Sequence, residues 1–357
     1  MSGKAKHILF IPRSDYRDNP GGDYVQLKTT AESWTKAGGL STIFQNDRPV
    51  VLDQIDVIQL FNIGRPQELM PWLKRGKPVA LFSIWVDFYD VDLKSNHTVK
   101  RLLARVLGKF RWEYVKVIAR WLVGQASFPG WLYLRKGHKK SMQYVLNNVD
   151  VLMASTQHEI HRLQQYFTLP SHVEIVPLGV SDVFFQQQPT VGTHLVFGGY
   201  IEPRKGVKSL VNICTRRSWP LHIYGSASAQ NKGYEELCKA IAGETIRFFG
   251  RVPQEDYAQA LANAGVVVLP SAFETTGLAA LEGAVMGKPI VVGSGGDTKD
   301  VYGKYAIYVD PENEDELENA IEQSLRVKPT LEQVTYFSKH TMKHHIERLK
   351  SIYEYIC

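Results

Sequence analysis

Two glutamates eight positions apart, Glu274 and Glu282, are the carboxylates in this chain best placed to do chemistry. They lie in the stretch Pro270 to Pro289, behind the apolar run Gly265–Leu269 and ahead of Ile290–Val292. Both apolar runs read as buried parallel strands, and the Leu- and Ala-rich residues between them as a helix. Glu274 then falls in the loop at the carboxyl end of a strand, where open α/β sheets bind their ligands, and Glu282 falls inside the helix. Thr275, Thr276 and Gly277 would present backbone N–H groups at the helix N-terminus, an arrangement that favours a phosphate. Glu274 is thus either a helix cap or an acceptor for the hydroxyls of a neutral polyol. Glu282 is either an ordinary helix residue or a second such acceptor.

Other loops repeat the pattern. The strand Leu195–Phe197 runs into Gly198-Gly199-Tyr200, then the basic pair Arg204-Lys205 and Gly206. Strand, glycine turn, cations and helix can surround a diphosphate, although a solvated Arg-Lys turn has the same composition. Gly225 closes the strand Leu221–Tyr224, and Gly250-Arg251-Val252-Pro253 closes the strand that starts at Ile246. Near the N-terminus, Gly21-Gly22-Asp23 precedes a helix expected over 24–37. Those glycines either bring backbone close to a ligand or make a plain turn. They do not form the dinucleotide fingerprint. Asp87 and Asp90 follow the strand Val79–Ile84 at its carboxyl end, again where a cleft would lie.

The framed set Pro270, Ser271, Glu274, Gly277, Leu278, Leu281, Glu282, Gly287, Lys288 and Pro289 resembles the signature of retaining glycosyltransferases of family GT4. The fold implied is GT-B: α/β, with two Rossmann-like doubly wound domains facing each other across a cleft. Gly21-Gly22 resembles the family's first loop, which lies against the donor diphosphate, and Lys205-Gly206 its phosphate motif. Two positions depart from the pattern. Tyr200 stands where the family has an Arg after the glycine, with Arg204 as the candidate replacement, and Leu178 stands in the Pro-Asn-Gly turn. The resemblance is specific from 193 to 311 and loose before 170.

It implies the following site. Glu274, Lys205, Arg204 and Asp87 serve the reaction. Gly21, Gly22, Gly199, Lys205, Gly225, Arg251, Val252, Glu274, Thr275, Thr276, Gly277, Leu278 and Glu282 bind the donor, a nucleotide-diphosphate sugar. Asp90-Val91-Asp92 spells the metal motif of the other glycosyltransferase fold, GT-A. GT-B enzymes do not need it, so neither a metal nor another cofactor is expected.

The chain of 357 residues suffices for two α/β domains. The expected division is an acceptor-binding domain over 1–185, a nucleotide-sugar domain over 190–330, and a helix over 331–357 that crosses back to the first. No apolar run is long enough to span a bilayer. His7 leads straight into Ile8–Ile11, which reads as a first strand and not as a signal peptide. Three cysteines without paired spacing fit a reducing compartment.

Charge is unevenly placed. Residues 94–140 hold twelve Lys and Arg against one acid, Glu113, in a chain whose total is +6. Basic and apolar residues alternate at helical spacing over 97–122, with Trp131 and Tyr133 beyond. Such a segment either lies on an anionic membrane or packs as an ordinary helix with a solvated basic face. Basic residues do not follow any nucleic-acid-binding motif, so no nucleic-acid partner is expected.

The combined expectation is a bacterial glycosyltransferase in the cytoplasm, peripheral on the inner face of the membrane. It would act on a glycan or lipid-linked acceptor in cell-surface polysaccharide synthesis. A soluble enzyme with a small acceptor and an inactive glycosyltransferase-like scaffold are the alternatives.

Overall fold

The computed structural model describes residues 5–17, 21–45, 48–93, 98–327 and 330–357. Residues 18–20 of the first glycine loop and 94–97 at the start of the basic segment lie outside that set. The chain divides into two compact units, Met1–Pro177 with Lys343–Cys357, and Leu178–Met342.

The first unit carries six parallel strands: β1 (His7–Ile11), β2 (Leu40–Ile43), β3 (Val57–Phe61), β4 (Val79–Phe82), β5 (Val151–Ala154) and β6 (Val173–Ile175). They stand in the order β2-β1-β3-β4-β5-β6. The central strands are short apolar runs because helices cover both faces of a parallel sheet. Glu159 is a fully buried carboxylate at the carboxyl ends of β4 and β5. It accepts from the Ser83 hydroxyl and Trp85 N–H, both at 2.7 Å, and from Ser155 N–H at 3.1 Å.

The second unit repeats the plan with β7 (Leu195–Gly198), β8 (Leu221–Tyr224), β9 (Ile246–Gly250), β10 (Val266–Leu269), β11 (Ile290–Gly293) and β12 (Ala306–Val309). Their order is β12-β11-β10-β7-β8-β9, all parallel. The carboxyl ends of β7, β8, β9 and β10 therefore share one edge of the sheet.

The boundaries differ from the expected ones for reasons of packing. Val180 and Phe184 are buried in the core of the second unit, as is Phe337, so the linker and the helix Leu331–Phe337 belong there. The return to the first unit begins at Lys343 and not at 331. There the helix Met342–Ile356 is anchored by polar groups: Tyr353 Oη donates to Gln59 Oε1 at 2.9 Å, and the His345 ring meets Pro177 O at 2.9 Å and Thr30 Oγ1 at 3.2 Å. Burial pushes the His345 imidazole down to about 4, so it stays neutral at physiological pH.

The basic segment is not one helix. Within Thr98–Leu122 the chain breaks at Gly108, whose φ of 71° and ψ of 169° lie outside the helical region and are open only to glycine. The first part turns Ala104 inward and leaves Val99, Leu102, Leu103 and Val106 facing solvent. The second part buries Trp112 and Val117.

Candidate active site

The loop after β10 is held from three sides. Its backbone pairs with the 293–297 turn, with Glu274 N–H donating to Gly295 O at 3.2 Å and Asp297 N–H to Glu274 O at 2.8 Å. The loop after β7 is tied to it through Ala272 N–H and Arg204 O at 2.8 Å. From below, the fully buried Tyr302 hydroxyl is within 2.8 Å of Thr276 O and 2.9 Å of Gly277 O. The helix that follows is Leu278–Val285, with Gly277 as its N-cap in the left-handed conformation and no side-chain cap. Glu274 is therefore not the cap. Its carboxylate forms an ion pair with the Lys205 ammonium, and both side chains are 12% exposed. Burial by itself would raise the Glu274 pKa, but the adjacent Lys205 charge and hydrogen bond outweigh it and hold the group below the usual carboxylate range.

Glu282, one turn into the helix, is half-buried. Among the described residues no hydrogen bond or ion pair engages its carboxyl group, and burial pushes its pKa up to about 8. The buried Tyr257 hydroxyl, which has no hydrogen-bond partner among the described residues, packs against Gly198. The Glu282 charge helps raise its pKa after burial, the largest cause.

Three glycine turns line the same edge. Gly199 N–H donates to Tyr224 O at 2.9 Å, and Gly225 N–H to Gly250 O at 2.7 Å. Gly225 has φ of 125°, and a Cβ there would stand 1.9 Å from Gly199 O, so only glycine fits. Arg251 reaches from the β9 turn to the β7 turn, its Nη2 donating to the Tyr200 hydroxyl at 2.8 Å with the guanidinium 5.1 Å from that ring's centroid. Arg204 instead pairs with Glu202. The structure thus gathers Lys205, Glu274, Thr275, Thr276, Gly277 and Leu278 around one loop pair. Gly199, Gly225, Arg251 and Val252 stand along the adjoining turns, and Glu282 lies behind them.

The remaining expected residues belong to the first unit. Gly21 is the N-cap and Gly22 the first residue of the helix Gly22–Lys36. Beside them Arg13 pairs with Asp23 at 3.3 Å, while Arg65 makes a two-pronged contact with Asp15 at 2.9 and 3.1 Å. Asp87 is ion-paired with Lys109, which also donates to the Tyr166 hydroxyl at 3.0 Å. Asp90 is exposed in the helix Tyr89–Leu93, whereas Asp92 is engaged by Trp112 at 2.7 Å and Lys100 at 2.7 Å. Of the residues that sequence reasoning missed, Glu202 lies in the Arg204 loop itself, whereas Tyr257, Tyr302, Lys109 and Arg65 come from distant parts of the chain. No local spacing marks them.

Residues 191–326 match the family model described as glycosyl transferases group 1. Among curated proteins, the chain is similar to the O-antigen chain mannosyltransferase B of Escherichia coli, 30% identical over 140 residues that make up 37% of each chain. It is also similar to the D-inositol 3-phosphate glycosyltransferase of a Nocardioides strain, 28% identical over 186 residues, 43% of this chain and 41% of that one. The match therefore spans less than half the length of either relative. Among solved structures, Anabaena HepE in complex with UDP and glucose superposes with a TM-score of 0.66 at 13% identity, covering 98% of this chain and 100% of that one. At that identity the likeness is one of fold, and it extends over both units. The resemblance to GT4-like glycosyltransferases holds in the domain match and in the two parallel six-stranded sheets. Residues 191–326 are accordingly similar to a glycosyl transferases group 1 domain, in a chain of GT-B fold.

Proposed function

We propose that the protein is a retaining, metal-independent glycosyltransferase. In this reading it moves a sugar from a nucleotide-diphosphate sugar to a glycan or lipid-linked oligosaccharide acceptor in cell-surface polysaccharide synthesis. The observation that carries this is the Lys205–Glu274 pair at the carboxyl edge of the second sheet, beside the N-terminus of the helix Leu278–Val285. Transfer breaks the bond between the anomeric carbon and the diphosphate, and negative charge develops on the leaving group. Lys205 and the helix N-terminal amides meet that charge already oriented. Glu274, kept ionised by Lys205, accepts hydrogen bonds from the donor sugar, and Glu282 accepts from the ribose hydroxyls.

Both glutamates lie in the second unit, so they are not the flanking pair that a double displacement requires. A front-face substitution fits better: the acceptor oxygen bonds to the anomeric carbon while its proton passes to the departing phosphate. Asp87, engaged by Lys109 as Glu274 is by Lys205, is the residue of the first unit proposed to serve the reaction.

The membrane-bound acceptor is supported by the solvent-facing apolar stripe of the basic segment. Val99 and Val106 are each 72% exposed and Trp131 is 78% exposed, with Arg101 and Arg105 alongside on the first helix. A helix whose apolar residues served only as core would bury them. No described helix is long and apolar enough to cross a membrane, so the proposed contact is peripheral, on the cytoplasmic face. A small soluble acceptor is the second reading, favoured by the similarity to an inositol-phosphate glycosyltransferase.

Saturation-transfer NMR against UDP-, GDP-, ADP- and dTDP-sugars tests the donor site. Selective binding to one nucleotide, lost in Glu282→Ala, supports it. Absence of binding by folded protein overturns the enzyme reading in favour of a scaffold.

A further inference from the structure

Among the described residues, Ile84 is the one β-branched side chain with a positive φ, 36°. That region favours glycine, and a β-branched residue stays in it only where its surroundings force it to. The sheet explains why the turn falls there. Ser83 still follows β4: its N–H donates to Met153 O at 2.8 Å, and its carbonyl accepts from Ile63 N–H at 2.9 Å. Ile84 then turns the chain out of the sheet, and Trp85 takes its partners from side chains. Its N–H donates to Glu159 Oε1 at 2.7 Å, and its carbonyl accepts from Arg162 Nη2 at 3.1 Å. Both partners stand on the helix Gln157–Gln164, three positions apart and so on one face. Glu159 Oε1 also accepts from the Ser83 hydroxyl at 2.7 Å. One carboxylate oxygen thus pins the residues on either side of Ile84.

Glu159 reaches this place by departing from a local rule. Thr156 is the N-cap of its helix, and the Thr156 hydroxyl accepts from Glu159 N–H at 3.1 Å, which is half of a capping box. In the other half the glutamate would turn back to the N–H of the cap residue. Here Oε2 accepts instead from Ser155 N–H at 3.1 Å and from the Ser155 hydroxyl at 3.2 Å, and Oε1 crosses to the end of β4. Four donors on two oxygens use the acceptor sites of a carboxylate in full. The residue is fully buried, which capping does not require.

The turn carries Asp87, two residues beyond Trp85. Asp87 is ion-paired with Lys109, whose ammonium lies 4.4 Å from the Tyr166 ring centroid and 5.7 Å from that of the buried Trp85. A different φ at Ile84 would redirect Trp85, and with it both Asp87 and the ring beside Lys109. Resting on the reading that Asp87 serves the reaction, we infer that Glu159 is its positioning residue. By pinning Ser83 and Trp85 it holds Ile84 in the left-handed conformation and so sets the Asp87–Lys109 pair at the carboxyl end of β4.

Two measurements on the full chain test this. Acetylation by sulfo-N-hydroxysuccinimide acetate, read at Lys109 by mass spectrometry, reports the position of the pair with no ligand present. Release of nucleoside diphosphate from the nucleotide sugar that wild type binds, with water as acceptor, reports its use. Glu159→Gln sets an amide N–H group against one of the four donors. It is expected to raise Lys109 acetylation about fivefold or more as the loop opens. It should also lower kcat about tenfold or more through misplacement of Asp87. Donor KM should stay within about twofold of wild type, because the donor residues lie in the other unit. Ile84→Gly added to Glu159→Gln should restore both Lys109 protection and kcat, since glycine holds a positive φ unaided. A purely structural role for Glu159 predicts the opposite, because Ile84 is buried and removing its side chain would add to the damage. Should Glu159→Gln not fold alone, the double variant decides: folded protein with Lys109 protected supports the inference, and unfolded protein overturns it. Wild-type acetylation of Lys109 in Glu159→Gln overturns it, as does an unchanged kcat where Asp87→Asn lowers kcat. If Asp87→Asn itself leaves kcat unchanged, the reading of Asp87 fails, a separate result, and acetylation still decides whether Glu159 sets the pair.

Discussion

At the scale of single residues, Glu282 is the group whose behaviour is most specific. Its folded pKa of about 8 lies above the value of 4.5 that an unperturbed glutamate has. The native state thus holds a proton that the unfolded chain releases, and stability falls as pH rises from about 4.5 to about 8. Glu282→Gln removes that dependence. Its melting temperature should match wild type near pH 5 and exceed it by several degrees near pH 8 in a thermal scan. An unchanged pH profile would show that the carboxyl is solvated. Donor affinity should move the other way, rising with pH as the carboxylate forms, and the glutamine variant should lack that rise. Lys205 and Glu274 make a complementary case. Lys205→Met leaves a buried carboxylate unpaired and should cost about 3–5 kcal/mol in urea denaturation, whereas the double variant with Glu274→Gln should recover much of it. Additive losses would mean that the pair carries no coupling.

At the scale of elements, the strand–loop–helix–strand unit 266–293 is stabilised by a lysine that does not touch the site. Lys288 is 1% exposed, and its ammonium donates to Thr190 O and Ala262 O, each at 2.6 Å, and Ala264 O at 2.9 Å. Its three N–H groups are thereby all used, and the strap before β7, the end of the helix Gln254–Ala262 and the entry to β10 are joined at one point. Lys288→Met orphans three carbonyls and should lower unfolding free energy by about 3 kcal/mol or more. Lys288→Arg should not rescue it, because a planar fork cannot serve three converging acceptors in that space. Equal stability of wild type and the methionine variant would rule out this role. The Gly-Lys-Pro turn was visible in the sequence as part of a motif. The three carbonyls were not, because 190, 262 and 264 meet 288 only after the sheet has formed.

At the scale of the whole chain, charge and apolar surface coincide in one segment of the first unit. The solvent-facing stripe from Val99 to Val106 and the exposed Trp131 predict binding to vesicles that contain anionic phospholipid. Co-sedimentation should be reduced at least fivefold by Leu102→Asp with Val106→Asp, and should weaken as salt approaches about 1 M, where the Debye length shrinks to about 3 Å. Equal sedimentation of the double variant and wild type would remove the membrane from the proposal and favour the small acceptor.

The strands, the two-sheet architecture and the loops that carry Lys205, Glu274 and Glu282 were legible from sequence because each depends on local order: apolar runs of strand length, glycine where the chain must turn, and a framed motif. The basic segment was legible as helical but not in its break at Gly108, since a lone glycine does not disclose a positive φ. Domain edges were misplaced because Phe184 and Phe337 reveal their loyalty only through packing. Pairing was the part that tertiary structure alone decided. The sequence determined which residues could bear charge at the sheet edge. Which of them are paired, Lys205 with Glu274, Arg204 with Glu202 and Arg251 with the Tyr200 hydroxyl, follows from distances of a few ångströms between groups up to about seventy residues apart. Coulombic interaction falls off with separation in space and takes no account of separation along the chain.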